Sequence, residues 1–137
     1  MRAEQYVLDS WAILAWMENG PCRTMVSDLL AQAARDEIVI WMTVINIGEV
    51  LYVIEREKSL ADAQKALSVV DSLPVKQAEA CRALTLRAAH YKASHRMSYA
   101  DCFTLALAVE LKATLVTGNP ELRGQQEAQV LWIGLNE

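Results

Sequence analysis

Apolar residues in this chain follow two patterns, short continuous runs and longer stretches with helical spacing. The continuous runs predict buried strands at Tyr6–Leu8, Ile38–Met42, Thr114–Thr117 and Val130–Ile133. The helical spacing, interrupted at proline and glycine, predicts helices over Ser10–Glu18, 22–33, 44–58, 60–73, Gln77–Ser94 and Ser98–Lys112. Strands alternating with helices are typical of an α/β fold, in which helices cover both faces of a mainly parallel sheet.

Chain length and cysteine usage bear on domain number and compartment. A chain of 137 residues, of which 53% are hydrophobic, can bury one core without disulfides. No linker interrupts the pattern, so residues 1–137 are expected to form one domain. The three cysteines Cys22, Cys81 and Cys102 are odd in number and lack zinc-type spacing. This usage predicts reduced thiols in a cytoplasmic protein.

The longest apolar stretch, residues 38–54, does not predict a membrane span. It is short for one, and it contains Asn46 and Glu49. The net charge of −4 is unusual for a nucleic-acid-binding protein, since such proteins normally carry a basic surface. The charge is less unusual if several acids bind cations, because the cations offset them.

Four oxygen-bearing side chains are expected to meet at one edge of the predicted sheet. Asp9 directly follows the first strand, and Asn119 comes just after the strand at 114–117. Asp101 lies in the first turn of the helix that leads into that strand. Glu49 lies about two turns into the helix that follows the second strand. Sites in open α/β sheets collect at the carboxyl ends of the strands, so we expect these four side chains to share one pocket.

The surroundings of two of these acids favour a metal site. Asp101 lies in a helix that is apolar nearly all round, and Glu49 shares its helical face with Ile45, Tyr52 and Val53. A carboxylate in such surroundings is unfavourable unless it is paired or bound to a cation. Oxygen ligands in a group of three or four suit Mg²⁺ or Mn²⁺. The candidate metal ligands are therefore Asp9, Glu49, Asp101 and Asn119.

Each candidate also has a purely structural interpretation. Asp9 would cap the helix that follows it, and Asp101 would complete a capping box with Ser98. The remaining alternatives are an ion pair of Glu49 with Arg56 and a simple turn at Asn119.

The basic residues between Lys76 and Arg96 are spread through a predicted helix. His90 and His95 lie in the same region and have no cysteine or serine partner in the sequence pattern. We expect this region to form a solvated face of the protein.

Four short motifs contain the candidate residues and follow one another along the chain. The first two are Tyr-Val-Leu-Asp9-Ser10 and Asn46-Ile-Gly-Glu49-Val-Leu. The third and fourth are Met-Ser-Tyr-Ala-Asp101-Cys-Phe-Thr and Thr-Leu-Val-Thr117-Gly-Asn119-Pro-Glu-Leu. In order, spacing and total length, the set resembles the PIN-domain family over nearly the whole chain. Within that family, the compact size is most similar to VapC-type toxins of bacterial VapBC toxin–antitoxin pairs.

The resemblance implies an endoribonuclease that hydrolyses RNA with the help of Mg²⁺ or Mn²⁺. The metal-binding carboxylates would be those of Asp9, Glu49 and Asp101, and Ser10 or Thr117 would orient water or the scissile phosphate. The implied partner is an antitoxin protein with a basic tail, whose arginine would enter the acidic pocket. Apolar helices between residues 22 and 70 offer more hydrophobic surface than a small sheet needs, which predicts a homodimer.

Asn119 is a departure from the family, since the fourth motif usually carries an acid there. The amide brings no charge to a second cation position. This departure keeps open an alternative function, a catalytically weak or inactive PIN-like module that binds RNA or protein. A phosphatase of the haloacid dehalogenase type is disfavoured, because that family requires a second acid at the position of Trp11.

Overall fold

The computed structural model describes residues 3–134. Its five strands are β1 Glu4–Leu8, β2 Ile38–Thr43, β3 Lys76–Ala78, β4 Thr114–Thr117 and β5 Val130–Trp132. The helices of this part of the chain are α1 Ser10–Met17, α2 Arg23–Ala34, α3 Val44–Glu57, α4 Leu60–Ser72, α5 Arg82–Ser94, α6 Tyr99–Leu111 and α7 Pro120–Arg123. The predicted domain boundaries at residues 1 and 137 lie outside the described residues.

All strand pairs are parallel, and the strands lie in the order β3-β2-β1-β4-β5. The chain runs outward from β1 to β3 and then crosses to the other side of β1 to form β4. A reversal of this kind opens a crevice at the carboxyl ends of the two central strands. Leu8 pairs with Val116 across these strands, so the residues that follow them, Asp9 and Thr117, lie side by side.

Helices cover both faces of the sheet because successive side chains of each strand point to opposite faces. Leu8 and Val116 belong to an apolar cluster with residues of α1, α2, α3 and α4. Val7 and Leu115 belong to a second cluster with residues of α5 and α6. The predicted α/β fold, with a parallel sheet between two layers of helices, is confirmed.

The prediction of one long helix over Gln77–Ser94 is wrong at its start. Residues 76–78 form the edge strand β3, and α5 begins only at Arg82. Trp41, Met42 and Thr43 of β2 are the partners of β3. Pairing with a neighbouring strand satisfies the backbone of this segment, and local apolar spacing carries no information about such a partner.

The turn predicted at residues 118–120 is followed by the short helix α7, which begins at Pro120. Proline is favoured in the first helical turn because its missing N–H has no partner there in any case.

The helices and cysteines of residues 3–134 bear on the sequence predictions about membrane spans and disulfides. None of the helices in this range is long and apolar enough to cross a membrane. Cys22, Cys81 and Cys102 are all free thiols, and the first and last of them are buried.

Candidate active site

Asp9 lies in the crevice between β1 and β4 and is almost fully buried, with 1% of its surface exposed. Its Oδ1 accepts a hydrogen bond of 2.8 Å from the Ala12 N–H and so caps α1. Its Oδ2 accepts a hydrogen bond from the Thr117 hydroxyl. That hydroxyl in turn accepts the Asn119 N–H at 2.9 Å, so one threonine connects the ends of both central strands.

Burial dominates the electrostatics of Asp9. It raises the pKa of this carboxyl from 3.8 to about 7, although the bonds from Thr117 and Ala12 act in the opposite direction. The negative charges of Asp101 and Glu49 contribute to this rise, because like charges in one pocket disfavour ionisation. Asp9 is therefore poised to carry a proton near neutral pH unless a cation compensates its charge.

Glu49 reaches the same crevice from the second turn of α3. Its Oε1 accepts a hydrogen bond from the Ser10 hydroxyl, which directly follows Asp9 in the chain. The same hydroxyl lies 3.2 Å from the Asn46 carbonyl oxygen. The alternative ion pair of Glu49 with Arg56 is not formed, since the Arg56 guanidinium lies 5.4 Å from the centre of the Tyr52 ring.

Asp101 enters the crevice from the first turn of α6, where the Ser98 hydroxyl caps the helix by accepting the Asp101 N–H at 3.1 Å. The pKa of Asp101 is raised to about 6, mainly by burial and next by the negative charge of Glu49. The Asn119 Nδ2 donates to Asp101 Oδ2 at 2.9 Å, while the Asn119 Oδ1 accepts the Glu121 N–H at 3.1 Å. Both ends of the amide are thus engaged, and its nitrogen faces the carboxylate.

Beside these acids lies a neutral polar cluster centred on Asn46, which sequence reasoning did not single out. The Asn46 side chain is fully buried. Its Oδ1 accepts from the hydroxyls of Thr43 and Thr104. Its Nδ2 lies 3.3 Å from both the Ser10 Oγ and the Ala100 carbonyl oxygen. This residue therefore joins α1, α3 and α6, the three helices that carry Ser10, Glu49 and Asp101.

The carboxylates face one open cavity of about 320 Å³ at the carboxyl end of the sheet. We call it the acidic cavity; its lining residues are Asp9, Ser10, Trp11, Leu14, Glu49, Val53, Ser98, Asp101, Asn119 and Glu121. Thr117 does not line the cavity; it lies below Asp9 and donates a hydrogen bond to its carboxylate. Glu121 was not among the predicted site residues, although its position two residues after Asn119 in the fourth motif was a usable signal.

Gly118, between β4 and Asn119, lies against Trp11, one of the lining residues of the acidic cavity. A Cβ atom at this position would lie 2.3 Å from the nearest ring atom of Trp11. The Trp11 indole therefore lies directly against the glycine backbone, and any larger residue at position 118 would require the indole to move.

The donor set of the acidic cavity matches the preference of Mg²⁺ or Mn²⁺ for oxygen ligands. Neither lysine nor arginine is among its lining residues, so its carboxylates have no cationic partner there. Within residues 3–134, however, no three His, Cys, Asp or Glu side chains are close enough to form a coordination sphere. Thus the chemistry of the residues fits a divalent cation, and binding would require the carboxylates to draw closer together.

A model of the PIN domain matches residues 6–126, which is most of the chain. The chain belongs to the PIN domain family. PIN domain proteins of the VapC kind are nucleases. Among curated proteins, none matches the sequence significantly.

Several solved structures share the fold of this PIN domain. VapBC2 from Rickettsia felis, bound to a DNA fragment from its promoter, is 17% identical with a TM-score of 0.74, and the match covers 93% of this chain and 97% of that one. VapBC-1 from nontypeable Haemophilus influenzae is 20% identical with a TM-score of 0.70, again covering 93% and 97%. VapC20 from Mycobacterium tuberculosis, a Sarcin-Ricin loop cleaving toxin, is 17% identical with a TM-score of 0.68, covering 90% and 98%.

Two of the site residues cap a helix and also face the acidic cavity. Asp9 caps α1 and Asn119 caps α7, yet both also line the acidic cavity. The predicted neighbours Ser10 and Thr117 each bond to one of the carboxylates. In this PIN domain, capping a helix and facing the cavity are therefore compatible, because the helices begin at the edge where the cavity lies.

Proposed function

We propose that this PIN domain is a Mg²⁺- or Mn²⁺-dependent endoribonuclease and that the whole chain, residues 1–137, forms its single domain. The observation that carries the proposal is the convergence of Asp9, Glu49 and Asp101 on one cavity that lacks a cationic lining residue. Two of the three carboxylates are buried, which is unfavourable without a compensating charge. A divalent cation supplies that charge.

Asp9, Glu49 and Asp101 would hold the cation, with the Asn119 amide as a further, uncharged ligand or as the group that orients Asp101. When bound, a divalent cation activates water near neutral pH and offsets negative charge on the phosphate during in-line displacement. The Asn119 Nδ2 already bonds to Asp101 Oδ2, which limits the rotation of that carboxylate.

Two hydroxyls orient the remaining carboxylates. The Ser10 hydroxyl donates to Glu49, and the Thr117 hydroxyl donates to Asp9. Each carboxylate oxygen has two lone pairs, so these bonds leave acceptor capacity for a cation. Ser10 also lines the cavity and is positioned to orient water or the scissile phosphate, whereas Thr117 acts from below.

The proposed biological role is that of a cytoplasmic toxin that is silenced by an antitoxin protein. Similarity of fold to VapBC proteins supports this role. An arginine from a basic antitoxin tail would form charge-assisted hydrogen bonds with the carboxylates of the acidic cavity. Exposed apolar side chains on α2, α3 and α4 support a homodimer and a docking surface for the antitoxin; they are Met25, Tyr52, Leu60, Leu67 and Val69.

Cleavage of RNA at defined metal concentrations tests the enzymatic proposal. The purified protein is incubated with a structured RNA in Mg²⁺, in Mn²⁺ and in EDTA, and the products are resolved on a gel. We expect internal cleavage with either cation and none in EDTA. Cleavage by a highly purified sample that persists in EDTA would contradict the proposed mechanism.

The second candidate is a module that binds RNA or protein with weak or no catalysis. The uncharged Asn119 favours it, since its amide nitrogen faces Asp101 where the family usually has an acid. A thermal-shift titration with Mn²⁺ separates the candidates. The enzyme is expected to be stabilised progressively by the cation, whereas a pure binding module is expected to melt at an unchanged temperature.

Association is tested by size-exclusion chromatography with light scattering and by co-purification with the product of the adjacent gene. We expect a dimer in isolation and a stable complex with a small basic protein. A free monomer that does not bind the adjacent gene product would exclude the toxin–antitoxin role but leave nuclease activity possible.

A further inference from the structure

Cationic residues are concentrated in one segment of an otherwise acidic protein. Residues 82–96 contain Arg82, Arg87, Lys92 and Arg96 and no Asp or Glu, although the chain as a whole has a net charge of −4. The segment covers α5 and the first residues of the loop that leads to α6. Asp101 lies in the first turn of α6, so the last cation of the segment is brought to the vicinity of the acidic cavity.

A second cavity of about 260 Å³ lies at that end of the segment. We call it the Arg96 groove; its lining residues are His95, Arg96, Met97, Glu121, Gly124 and Gln125. Glu121 also lines the acidic cavity, so the two cavities share a wall. A chain bound in one can therefore continue into the other.

The structure leaves Arg96 available for a ligand. Its side chain is exposed, and it takes part in none of the side-chain hydrogen bonds, ion pairs or ring contacts found among residues 3–134. Its neighbour His95 is held, because Nε2 lies 2.9 Å from Glu127 Oε1. Two arginines elsewhere in the protein are engaged, Arg35 with Glu37 and Arg23 with the Trp16 ring.

Gln125, another lining residue of the Arg96 groove, is held in place by three hydrogen bonds. Its Oε1 accepts the backbone N–H groups of Glu127 and Ala128, each at 2.8 Å, and its Nε2 donates to the Ala128 carbonyl. A groove with one fixed side and one available guanidinium is suited to a small anion such as a phosphate. The guanidinium presents its donors in a fork that matches phosphate oxygens.

A polyanion that approaches the acidic cavity needs such a cation. Four carboxylates line the acidic cavity, and each of them repels a phosphate in the absence of bound cations. Arg96 is the arginine that lines the cavity next to them. A cation at this position offsets the repulsion and sets the direction in which the strand leaves the cavity.

We infer that the Arg96 groove binds a backbone phosphate of the RNA strand that flanks the cleaved bond. The inference rests on the proposed function, because it concerns the substrate of the same site. Arg96 binds the flanking phosphate, and Glu121 on the shared wall keeps that phosphate on the Arg96 side. The RNA strand thus passes from the acidic cavity along the Arg96 groove toward the C-terminal end of α5.

Binding of a fluorescently labelled single-stranded RNA, measured by anisotropy in EDTA, tests the inference without cleavage. Arg96→Gln is expected to weaken binding about fivefold at low salt and to reduce the slope of log K against log salt by about 0.7, the value for one phosphate contact on a single strand. Arg96→Lys should keep the salt slope. Glu121→Gln removes the repelling charge and should tighten binding.

Arg82→Gln is the matched control, since it removes the same charge from the far end of the same segment. Equal losses from Arg82→Gln and Arg96→Gln would overturn the inference, because binding would then follow net charge alone. Unchanged binding by Arg96→Gln, or no RNA binding by the wild-type protein, would also overturn it. Identical melting temperatures exclude misfolding as the cause of any loss.

The inference and the proposed function fail in different ways. If the wild-type protein binds RNA through Arg96 in EDTA but does not cleave it with Mg²⁺ or Mn²⁺, the enzymatic proposal fails and the phosphate site stands. If the protein cleaves RNA and Arg96→Gln leaves both binding and its salt dependence unchanged, the phosphate site fails and the enzymatic proposal stands.

Discussion

Two polar clusters lie side by side at the carboxyl end of the sheet, and they differ in the balance of donors and acceptors. The Asn46 cluster is neutral, and both Oδ1 and Nδ2 of its central amide have partners from surrounding helices. The acidic cavity has an excess of acceptors, and burial raises the pKa of Asp9 and Asp101. The hydrogen bonds of the Asn46 cluster are satisfied within the protein, whereas the acidic cavity has no positive charge among its described lining residues to compensate its carboxylates.

The difference indicates which cluster serves stability and which serves function. A buried amide with all its hydrogen bonds satisfied fixes the packing of the elements around it. Buried carboxylates in mutual repulsion reduce the stability of the metal-free protein and are retained where a ligand compensates them. Asn46 therefore positions the helices on which the site is built, and the carboxylates are the groups proposed to bind the cation.

The largest expected effect is on catalysis, from Asp101→Asn. The change nearly preserves shape and removes one charge from the acidic cavity. Cleavage with Mg²⁺ should fall at least about a hundredfold if Asp101 is a metal ligand. The melting temperature in EDTA should be equal to or higher than that of the wild type, because a repelling charge is lost.

Asp28→Asn, on the exposed surface of α2, is the matched control and should change neither quantity. If Asp101 served only to complete the α6 cap, its substitution would lower stability by a few tenths to about 1 kcal/mol and spare activity. A destabilised but active Asp101→Asn protein would thus refute its role in binding the cation.

The next largest effect is expected from the Asn46 cluster, and it concerns the stability of the protein rather than catalysis. Asn46→Ala removes the buried amide to which the hydroxyls of Thr43 and Thr104 donate and which donates to the Ala100 carbonyl. The free energy of unfolding should fall by about 2–3 kcal/mol, whether or not metal is present. Urea unfolding measures this loss. Thr85→Val, which removes a hydroxyl bonded only to backbone carbonyls near the start of α5, should cost well under half as much.

A pH titration of the metal-free protein sharpens the comparison. In the folded state the pKa of Asp9 is raised from 3.8 to about 7, so the folded protein binds more protons than the unfolded chain between these values. Stability in EDTA should therefore decrease as pH rises from about 4 to 7, with Asp9 contributing at most about 1.4 kcal/mol per pH unit.

Asp9→Asn should remove this dependence between about pH 6 and 7 and weaken it below pH 6, where Asp101 also contributes because its pKa is raised to about 6. Mn²⁺ should flatten the dependence in the wild type. Asn46→Ala should retain it, since the Asn46 cluster has no ionisable group. A pH dependence that is unchanged in Asp9→Asn would show that another group is responsible.

The smallest effect is expected from Asn119→Asp. The new carboxylate would tighten a second cation position, so cleavage should be kept or raised a few-fold, most visibly at low metal concentration. In EDTA the same change should lower the melting temperature, because a donor to Asp101 Oδ2 is replaced by a like charge.

Asn119→Ala removes the donor without adding a charge and so serves as the control. It should lower the metal-free melting temperature less than Asn119→Asp does and should not tighten Mn²⁺ binding. A large loss of cleavage in Asn119→Asp, with the fold intact, would indicate that the amide itself has a specific function.

Much of the architecture was predictable from local pattern. Continuous apolar runs located β1, β2, β4 and β5, because strands buried on both faces need apolar side chains at successive positions. Asp9, Glu49, Asp101 and Asn119 could be assigned to one pocket, since the carboxyl ends of parallel strands share an edge. Their roles as metal ligands stay predictions until cation binding is measured.

What only the tertiary structure decided depends on residues that are distant in the chain. The edge strand β3 exists because β2 offers it hydrogen bonds, and its own three residues do not signal a strand. The Asn46 cluster joins residues 10, 43, 46, 100 and 104, and the shared wall at Glu121 connects two cavities. The sequence by itself determined which segments become strands and helices and which acids stand at their ends, since periodicity and capping are local. Hydrogen-bond partners, burial and the pKa of each acid depend on residues that are distant in the chain, so only the tertiary packing of the helices on the sheet determines them.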